Sequence, residues 1–221
     1  MTGVRERICP SMRTKLVLAL TLLFLMASMI YADPPPVRDP KISEMSLPPK
    51  YVIEGVPIYR QSRDECGPAS LSMVLNFYGK KFTKDDIAQA ITVPGGSVFG
   101  KYTSGGTRAD QMESYAKDKG GCHIYSFKAK DPKKMKYWLV QGYPLIALGV
   151  IPGSDWHREV KESIGRGHYI VLIGYDDENQ CFLAHDPAGG RSVRISYKGF
   201  RKFHSGHTSL PGPYYVLCIF P

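Results

Sequence analysis

The spacing of apolar residues changes once along this chain, and that change limits the folds it can adopt. Up to about residue 140 the apolar residues recur at helical spacing, which predicts helices at 67–78, 84–91, 107–119 and 131–140 and a short strand at 123–127. Beyond residue 143 they form short continuous runs, which predict strands at 144–151, 168–175, 181–185, 193–196 and 214–220. Helices first and an antiparallel sheet second make an α+β fold.

Residues that begin and end helices flank these helical segments. Pro68 suits the first turn of the first helix, and Gly79 follows its last residue. Thr83 and Thr107 are the predicted N-caps of the second and third helices. The segment Asp-Asp-Glu-Asn-Gln at 176–180 is typical of a hairpin turn, so the strands on either side of it are expected to pair.

The first 50 residues differ in composition from the rest. Arg13 and Lys15 precede an uncharged apolar run that ends at Ala32, which is typical of a secretory signal peptide over residues 1–32. Residues 33–50 contain six prolines and predict a linker, so the folded domain is expected over 51–221. The alternative is an uncleaved anchor at 16–31, slightly shorter than the ~20 residues that span a bilayer. Both interpretations place the domain outside the cytoplasm, either released or anchored.

The composition is that of a globular protein. Hydrophobic residues make up 43% and charged residues 22% of the 221, which excludes a disordered chain and a polytopic membrane protein. The net charge is +9, of which four basic residues and one acidic residue in the leader supply +3. The densest basic segments, 128–136 and 191–207, are short and are expected to be solvated surface, so we expect no nucleic-acid partner. We expect a monomer.

Cysteines and histidines outside the leader leave other questions open. In an oxidising compartment two of Cys122, Cys181 and Cys218 are candidates for a disulfide, and free buried thiols are the alternative. His204 and His207 are three residues apart, but no nearby carboxylate or cysteine completes a four-ligand set. We therefore expect no metal site.

Cys66 is the residue best placed for covalent chemistry. It stands at the start of the first predicted helix, where unpaired backbone N–H groups and the helix dipole favour a thiolate. A cysteine nucleophile also needs a base and a group that orients the base. His168 begins one strand of the predicted hairpin and Asp186 ends the other, so the two are expected side by side at one sheet edge. Gln61, five residues before the cysteine, could donate its amide to a developing oxyanion, together with the Cys66 N–H.

Two stretches resemble a known family. IYRQSRDECGPASLSMVLNFYGK and GHYIVLIGYDDENQCFLAHDP are similar to the bacteriocin-processing cysteine peptidases, a papain-like group that removes double-glycine leader peptides. The resemblance covers roughly residues 53–190. It implies a papain-like fold without cofactor or metal, and the roles of nucleophile for Cys66, general base for His168, orienting group for Asp186 and oxyanion donor for Gln61.

The likeness does not extend to the substrate. Those enzymes are best known as domains of transporters and face the cytoplasm, whereas this domain is expected to be exported, so double-glycine specificity is not carried over. The sequence predicts an exported cysteine endopeptidase acting on a peptide or protein amide bond. Two alternatives remain, an amidase or transpeptidase of cell-wall peptides and a papain-like module that binds a peptide without cutting it. Loops 94–106 and 152–167 are expected to border the cleft, and Trp156 could line it.

Overall fold

The computed structural model describes residues 46–62, 64–92, 96–98, 101–103, 106–151 and 167–221. The leader, residues 33–45 of the linker, parts of the 94–106 loop and residues 152–166 with Trp156 lie outside the described residues. None of the helices in these ranges is long and apolar enough to cross a membrane.

The described residues form nine strands and five helices. The strands are β1 Lys50–Val52, β2 Gly96–Val98, β3 Lys101–Thr103, β4 His123–Lys128, β5 Leu145–Val150, β6 Gly167–Asp176, β7 Cys181–Asp186, β8 Arg191–Ser196 and β9 Tyr215–Phe220. The helices are α1 Cys66–Phe77, α2 Lys84–Ile91, α3 Ala109–Asp118, α4 Pro132–Val140 and α5 Tyr197–Ser205.

One antiparallel sheet holds the fold together. Its strand order is β4-β9-β5-β6-β7-β8, and β1 pairs with the last three residues of β6, while β2 and β3 pair separately. All of β9 and all of β6 except Gly167 are buried, so both faces of the sheet are covered. Helices precede most of the strands along the chain, and the α+β layout expected from the sequence is therefore confirmed.

Helices cover the two faces in separate groups. A Cβ on Gly149 of β5 would lie 2.5 Å from Phe203 of α5. The preceding residue of β5, Leu148, pairs with Tyr169 of β6. The Tyr169 hydroxyl donates to the carbonyl of Thr107, and Thr107 packs against Gly67 of α1. Because neighbouring residues of a strand point to opposite faces, α5 and the start of α1 lie on opposite sides of the sheet.

Helix α1 is the central helix. Its residues from Gly67 to Leu75 are all buried, which is more than the single apolar stripe that the sequence predicts. Two serines inside this buried stretch contribute differently: Ser72 donates to the carbonyl of Phe82, whereas the Ser70 hydroxyl is buried with no partner among the described groups. A helix enclosed on all sides places its first residue with little freedom.

The predicted N-caps are right for α2 and wrong for α3. Thr83 caps α2 through a capping box with Asp86, as its sequence predicts. In α3 the N-cap is Arg108, whose N–H donates to Gln111 Oε1 at 3.0 Å. Thr107 cannot serve as the cap because its side chain packs on the start of α1 and its carbonyl accepts a hydrogen bond from the sheet.

Three elements were not anticipated from the sequence. They are the short strand β1, the β2–β3 pair inside the glycine-rich loop, and helix α5. Helix α5 lies in the segment expected to be solvated surface, and its basic residues are exposed, but Phe200, Phe203 and His204 are buried. Ser196 caps this helix by accepting the N–H of Gly199. Strand β1 attaches residues 48–50 to the β6–β7 hairpin, since the Pro48 and Pro49 carbonyls accept hydrogen bonds from it.

Candidate active site

Three segments meet at one end of the sheet. Strand β7 ends at Asp186, β6 begins just before His168, and α1 begins at Cys66. Continued by one residue, the β6–β7 register places Asp186 opposite Ile170, two residues along from His168. Since alternate residues of a strand share a face, the histidine and the aspartate lie diagonally on the same face, close enough for their side chains to meet.

The histidine and the aspartate are joined by a buried hydrogen bond. His168 Nε2 donates to Asp186 Oδ1 at 2.8 Å, and the two side chains are 3% and 2% exposed. The same carboxylate oxygen accepts the N–H of Ala188 at 3.0 Å. With Nε2 held in this way, Nδ1 is the ring atom left to face the thiol.

Cys66 completes the chain of contacts. Its partly exposed thiol hydrogen-bonds to the His168 ring and to the backbone N–H groups of Tyr169 and Gly67. Burial by itself would raise the pKa of this thiol, but the hydrogen bond and charge of His168, with the two N–H groups, outweigh burial and lower it. This shift favours the thiolate, which is the reactive form of cysteine.

The Tyr169 N–H is available because of where β7 ends. Residues of a strand direct their N–H groups alternately to either side, and Tyr169 donates to the Cys66 sulfur. Because β7 stops at Asp186, no further strand residue occupies this edge of β6. The Tyr169 N–H therefore lies beyond the end of the β6–β7 ladder, and its hydrogen bond contributes to the lowered pKa of Cys66.

His168 is held in its charged form. Burial would lower the pKa of the ring, whereas the hydrogen bonds and charges of Asp186 and Cys66 raise it to about 9. The shifts of His168 and Cys66 both favour a thiolate–imidazolium pair at neutral pH. Such a pair can attack a carbonyl carbon and afterwards protonate a leaving group.

Gln61 lies beside the same strand end. Its backbone N–H donates to the carbonyl of Pro187 at 2.9 Å, one residue beyond Asp186. Its side-chain oxygen Oε1 is buried, and none of the residues that the structure describes hydrogen-bonds to it. The structure thus brings Gln61 to the end of β7, and its role as an oxyanion donor stays a prediction.

Sequence analysis did not find the backbone donors of the site. The N–H groups of Gly67 and Tyr169 bond the sulfur, and that of Ala188 bonds the carboxylate. A backbone N–H donor has no side-chain signature in the sequence. The helix start at Cys66 and the Asp-Pro turn after β7 were the features that indicated where these donors lie.

Two other histidines, His185 and His204, have structural partners. His185 precedes Asp186 and points to the other face, where Nε2 donates to the carbonyl of Val56 at 3.1 Å and Nδ1 lies 3.0 Å from Ser192 Oγ. His204 donates to the carbonyl of Tyr215, and burial lowers its pKa to about 4. Within the described ranges, no three His, Cys, Asp or Glu residues are grouped so that they could hold a metal ion.

The structure resolves the alternatives left open for the cysteines. Cys122, Cys181 and Cys218 are all buried free thiols. Burial raises the pKa of each of them, which is the opposite of the shift at Cys66. Of the four described cysteines, Cys66 alone is both partly exposed and shifted toward the thiolate.

Comparison with known families gives one match that covers most of the chain. Residues 53–208 match the Peptidase_C39 like family. No curated protein matches the sequence.

Several solved structures share the fold. A C39-like peptidase from Bacillus anthracis has a TM-score of 0.59 at 17% identity, over 78% of this chain and 98% of its own. Xylellain, a cysteine protease from Xylella fastidiosa, has a TM-score of 0.57 at 15% identity, over 83% and 90%. A double-glycine-motif protease from an AMS/PCAT transporter, solved with its leader peptide, has a TM-score of 0.50 at 19% identity, over 77% and 94%. At these identities the likeness shows the fold, which confirms the expected papain-like α+β architecture.

Proposed function

Because the chain belongs to the Peptidase C39-like family and is a cysteine peptidase, we propose that it acts outside the cytoplasm on an amide bond of a peptide or protein. In this proposal Cys66 is the nucleophile, His168 transfers protons and Asp186 orients the ring. The observation that carries the proposal is the continuous chain of hydrogen bonds from the Cys66 thiol through His168 to Asp186.

The first half of the reaction forms an acyl-enzyme. The Cys66 thiolate attacks the carbonyl carbon, and the carbonyl oxygen becomes an oxyanion that accepts hydrogen bonds from the Cys66 N–H and the Gln61 amide. The C–N bond then breaks, and His168 gives its Nδ1 proton to the leaving amine. Asp186 holds the ring through Nε2, so that Nδ1 stays directed at the sulfur.

The second half restores the enzyme. Water attacks the thioester while neutral His168 takes a proton from it, and a second oxyanion forms in the same place. Its collapse breaks the C–S bond, releases a carboxylic acid and leaves the thiolate beside the protonated ring. The chemistry needs no metal or organic cofactor.

The substrate class follows from the family and from one relative. The double-glycine-motif protease was solved with a bound leader peptide, which supports a peptide as the substrate here. The apolar run at 16–31 supports export, with the domain either released or anchored by that segment. Double-glycine specificity belongs to the relative and is not part of the proposal.

Alkylation of the full chain with iodoacetamide at pH ~5.5, mapped by mass spectrometry, tests the proposed thiolate. An ordinary thiol with a pKa near ~8.5 is almost wholly protonated at that pH and reacts slowly. We expect selective labelling of Cys66, with its loss in His168→Ala, while Cys122 and Cys218 serve as unactivated internal controls. Slow labelling of Cys66 in the native protein, with full labelling after denaturation, would contradict an activated nucleophile.

A turnover assay tests the reaction itself. Fluorescently labelled casein should be cleaved by the full chain and left intact by Cys66→Ala, and circular dichroism of the variant should show an unchanged fold. Newly formed peptide ends, identified by mass spectrometry, distinguish hydrolysis from transfer to an added amine. Cleavage by Cys66→Ala at the rate of the unmodified chain would refute the mechanism.

A further inference from the structure

The segment from Ile53 to Gln61 carries the predicted oxyanion donor but forms no helix or strand of its own. Its first residue donates to the carbonyl of Ile173 at 2.7 Å, and its last donates to the carbonyl of Pro187 at 2.9 Å. Between these two bonds, the segment is held to β7 through Val56. A further bond joins the segment to α1, since the Tyr59 hydroxyl accepts from Asn76 Nδ2 at 3.1 Å. An irregular segment lacks a ladder of hydrogen bonds, so each of these bonds contributes to its position.

The bond at Val56 comes from His185. Its Nε2 lies 3.1 Å from the Val56 carbonyl oxygen, and a carbonyl can only accept, so Nε2 carries the proton. In the neutral ring Nδ1 is then an acceptor, and it receives the hydroxyl proton of Ser192 at 3.0 Å. Burial lowers the pKa of His185, which keeps the ring neutral at neutral pH. Both ring nitrogens are therefore satisfied, and the ring is fixed against the segment.

The carbonyl end of the Gln61 amide is not held by a hydrogen bond. Its Oε1 is buried and has no hydrogen-bond partner among the described residues, so the placement of this end depends on the backbone that carries it. The strand that supplies Asp186 also supplies His185 on its opposite face, and its next residue, Pro187, accepts the Gln61 N–H. The end of β7 thus holds both the base and the segment of the oxyanion donor.

We infer that His185 is a positioning residue for the oxyanion site, because its hydrogen bond to Val56 holds the segment that carries Gln61 to the end of β7. This inference rests on the proposed function. It assigns the two successive residues His185 and Asp186 to two different parts of one reaction, and it gives His185 no contact with the substrate.

Two reagents separate oxyanion stabilisation from thiolate activation. p-Nitrophenyl acetate reacts at its carbonyl: the Cys66 thiolate adds, an oxyanion forms, and p-nitrophenolate leaves with acetyl-cysteine remaining. Iodoacetamide reacts by direct displacement, in which the C–S bond forms as iodide leaves and no oxyanion appears. A defect confined to the oxyanion site should slow the first reaction and leave the second unchanged.

The variants are chosen as a matched pair. In His185→Gln the side-chain amide nitrogen reaches about as far as Nε2 and can still donate to Val56, whereas in His185→Asn it cannot. For the full chain we expect His185→Asn to slow acetylation by about tenfold and His185→Gln to restore most of the rate, with iodoacetamide labelling unchanged in both. Gln61→Ala, which removes the donor, should cost about 10²–10³-fold in acetylation.

A double variant makes the test specific for the route through Gln61. If His185 acts by placing that amide, His185→Asn should cost almost nothing further in the Gln61→Ala background. The inference would be overturned if the fold-decreases in acetylation rate of the two single variants multiplied in the double variant. It would also be overturned if His185→Asn slowed acetylation and iodoacetamide labelling equally. Acetylation that persists in Cys66→Ala would instead refute the proposed function, so the two failures are distinguishable.

Discussion

Replacing Asp186 by Asn removes a charge and keeps a hydrogen bond, which makes it the most informative single change at the site. Asp186 Oδ1 accepts from His168 Nε2 at 2.8 Å and from the Ala188 N–H at 3.0 Å. An Asn carbonyl oxygen can accept both bonds, so the ring keeps its tautomer and orientation. The effect that remains is the loss of a negative charge beside the imidazolium.

The size of the effect follows from the pKa of His168. Asp186 and Cys66 together raise it from 6.5 to about 9. This rise corresponds to about 3 kcal/mol in favour of the charged ring. If the carboxylate accounts for roughly half or more, its removal costs the ion pair about 2 kcal/mol, which lowers the equilibrium constant for forming the pair by roughly 30-fold.

Iodoacetamide alkylation of Cys66 between pH 4 and pH 10 measures the thiolate population directly. We expect Asp186→Asn to lower the rate at pH 6–7 by about 10–30-fold and to bring the two rates together near pH 10, where Cys66 is ionised in both proteins. Asp186→Ala provides the contrast, since it also strands two buried N–H groups at a cost of about 1–3 kcal/mol each in unfolding free energy. An alkylation profile of Asp186→Asn that overlays that of the unmodified chain would refute the electrostatic reasoning.

Three further predictions concern the pH dependence of the reaction and the stability of the fold. The rate of peptide hydrolysis should fall as the pH rises through about 9, because His168 must be protonated to give a proton to the leaving amine. The rate of Cys66 alkylation should not fall over the same range. A parallel decrease of both rates above pH 9 would contradict this prediction. Gly174→Ala places a Cβ 2.3 Å from the carbonyl oxygen of Tyr51 and should lower the free energy of unfolding, measured with urea, by about 1–3 kcal/mol. Alkylation of Cys66 at low pH should be unaffected. An unchanged unfolding midpoint would argue against the tight contact between β1 and β6. Lys136→Met removes an ammonium that lies 5.0 Å from the ring centre of Tyr175 and 4.6 Å from that of Tyr197, and it should lower the free energy of unfolding by about 1–2 kcal/mol. The control Lys133→Met, at an exposed lysine of the same helix, should change it by less than about 0.5 kcal/mol. Equal effects of the two substitutions would exclude a specific role for Lys136.

The sequence alone determined the elements whose signals are local. The helix that begins at Cys66 was predicted from apolar spacing and from Gly79 after its end, and the structure places it at Cys66–Phe77. The β6–β7 hairpin was predicted from two apolar runs around a polar turn, and its pairing brings the start of β6 next to the end of β7. The register shift between Leu172 and Gly174, which puts Asp186 on the same face as His168, was not predicted. The helix and the hairpin need no knowledge of distant residues, because each depends on neighbours within one segment.

Tertiary structure alone decided the features that depend on contacts between distant segments. The sequence of helix α5 is basic and predicts solvated surface, whereas the structure buries Phe200 and Phe203 of this helix against the sheet. The sulfur of Cys66 receives the N–H of Tyr169, which lies more than a hundred residues away in sequence. The pKa values that make the pair reactive follow from burial and from the distances between charges, and both quantities exist only once the chain has folded. Sequence could therefore name the candidate residues of the site, and the fold sets the shifts of their pKa values.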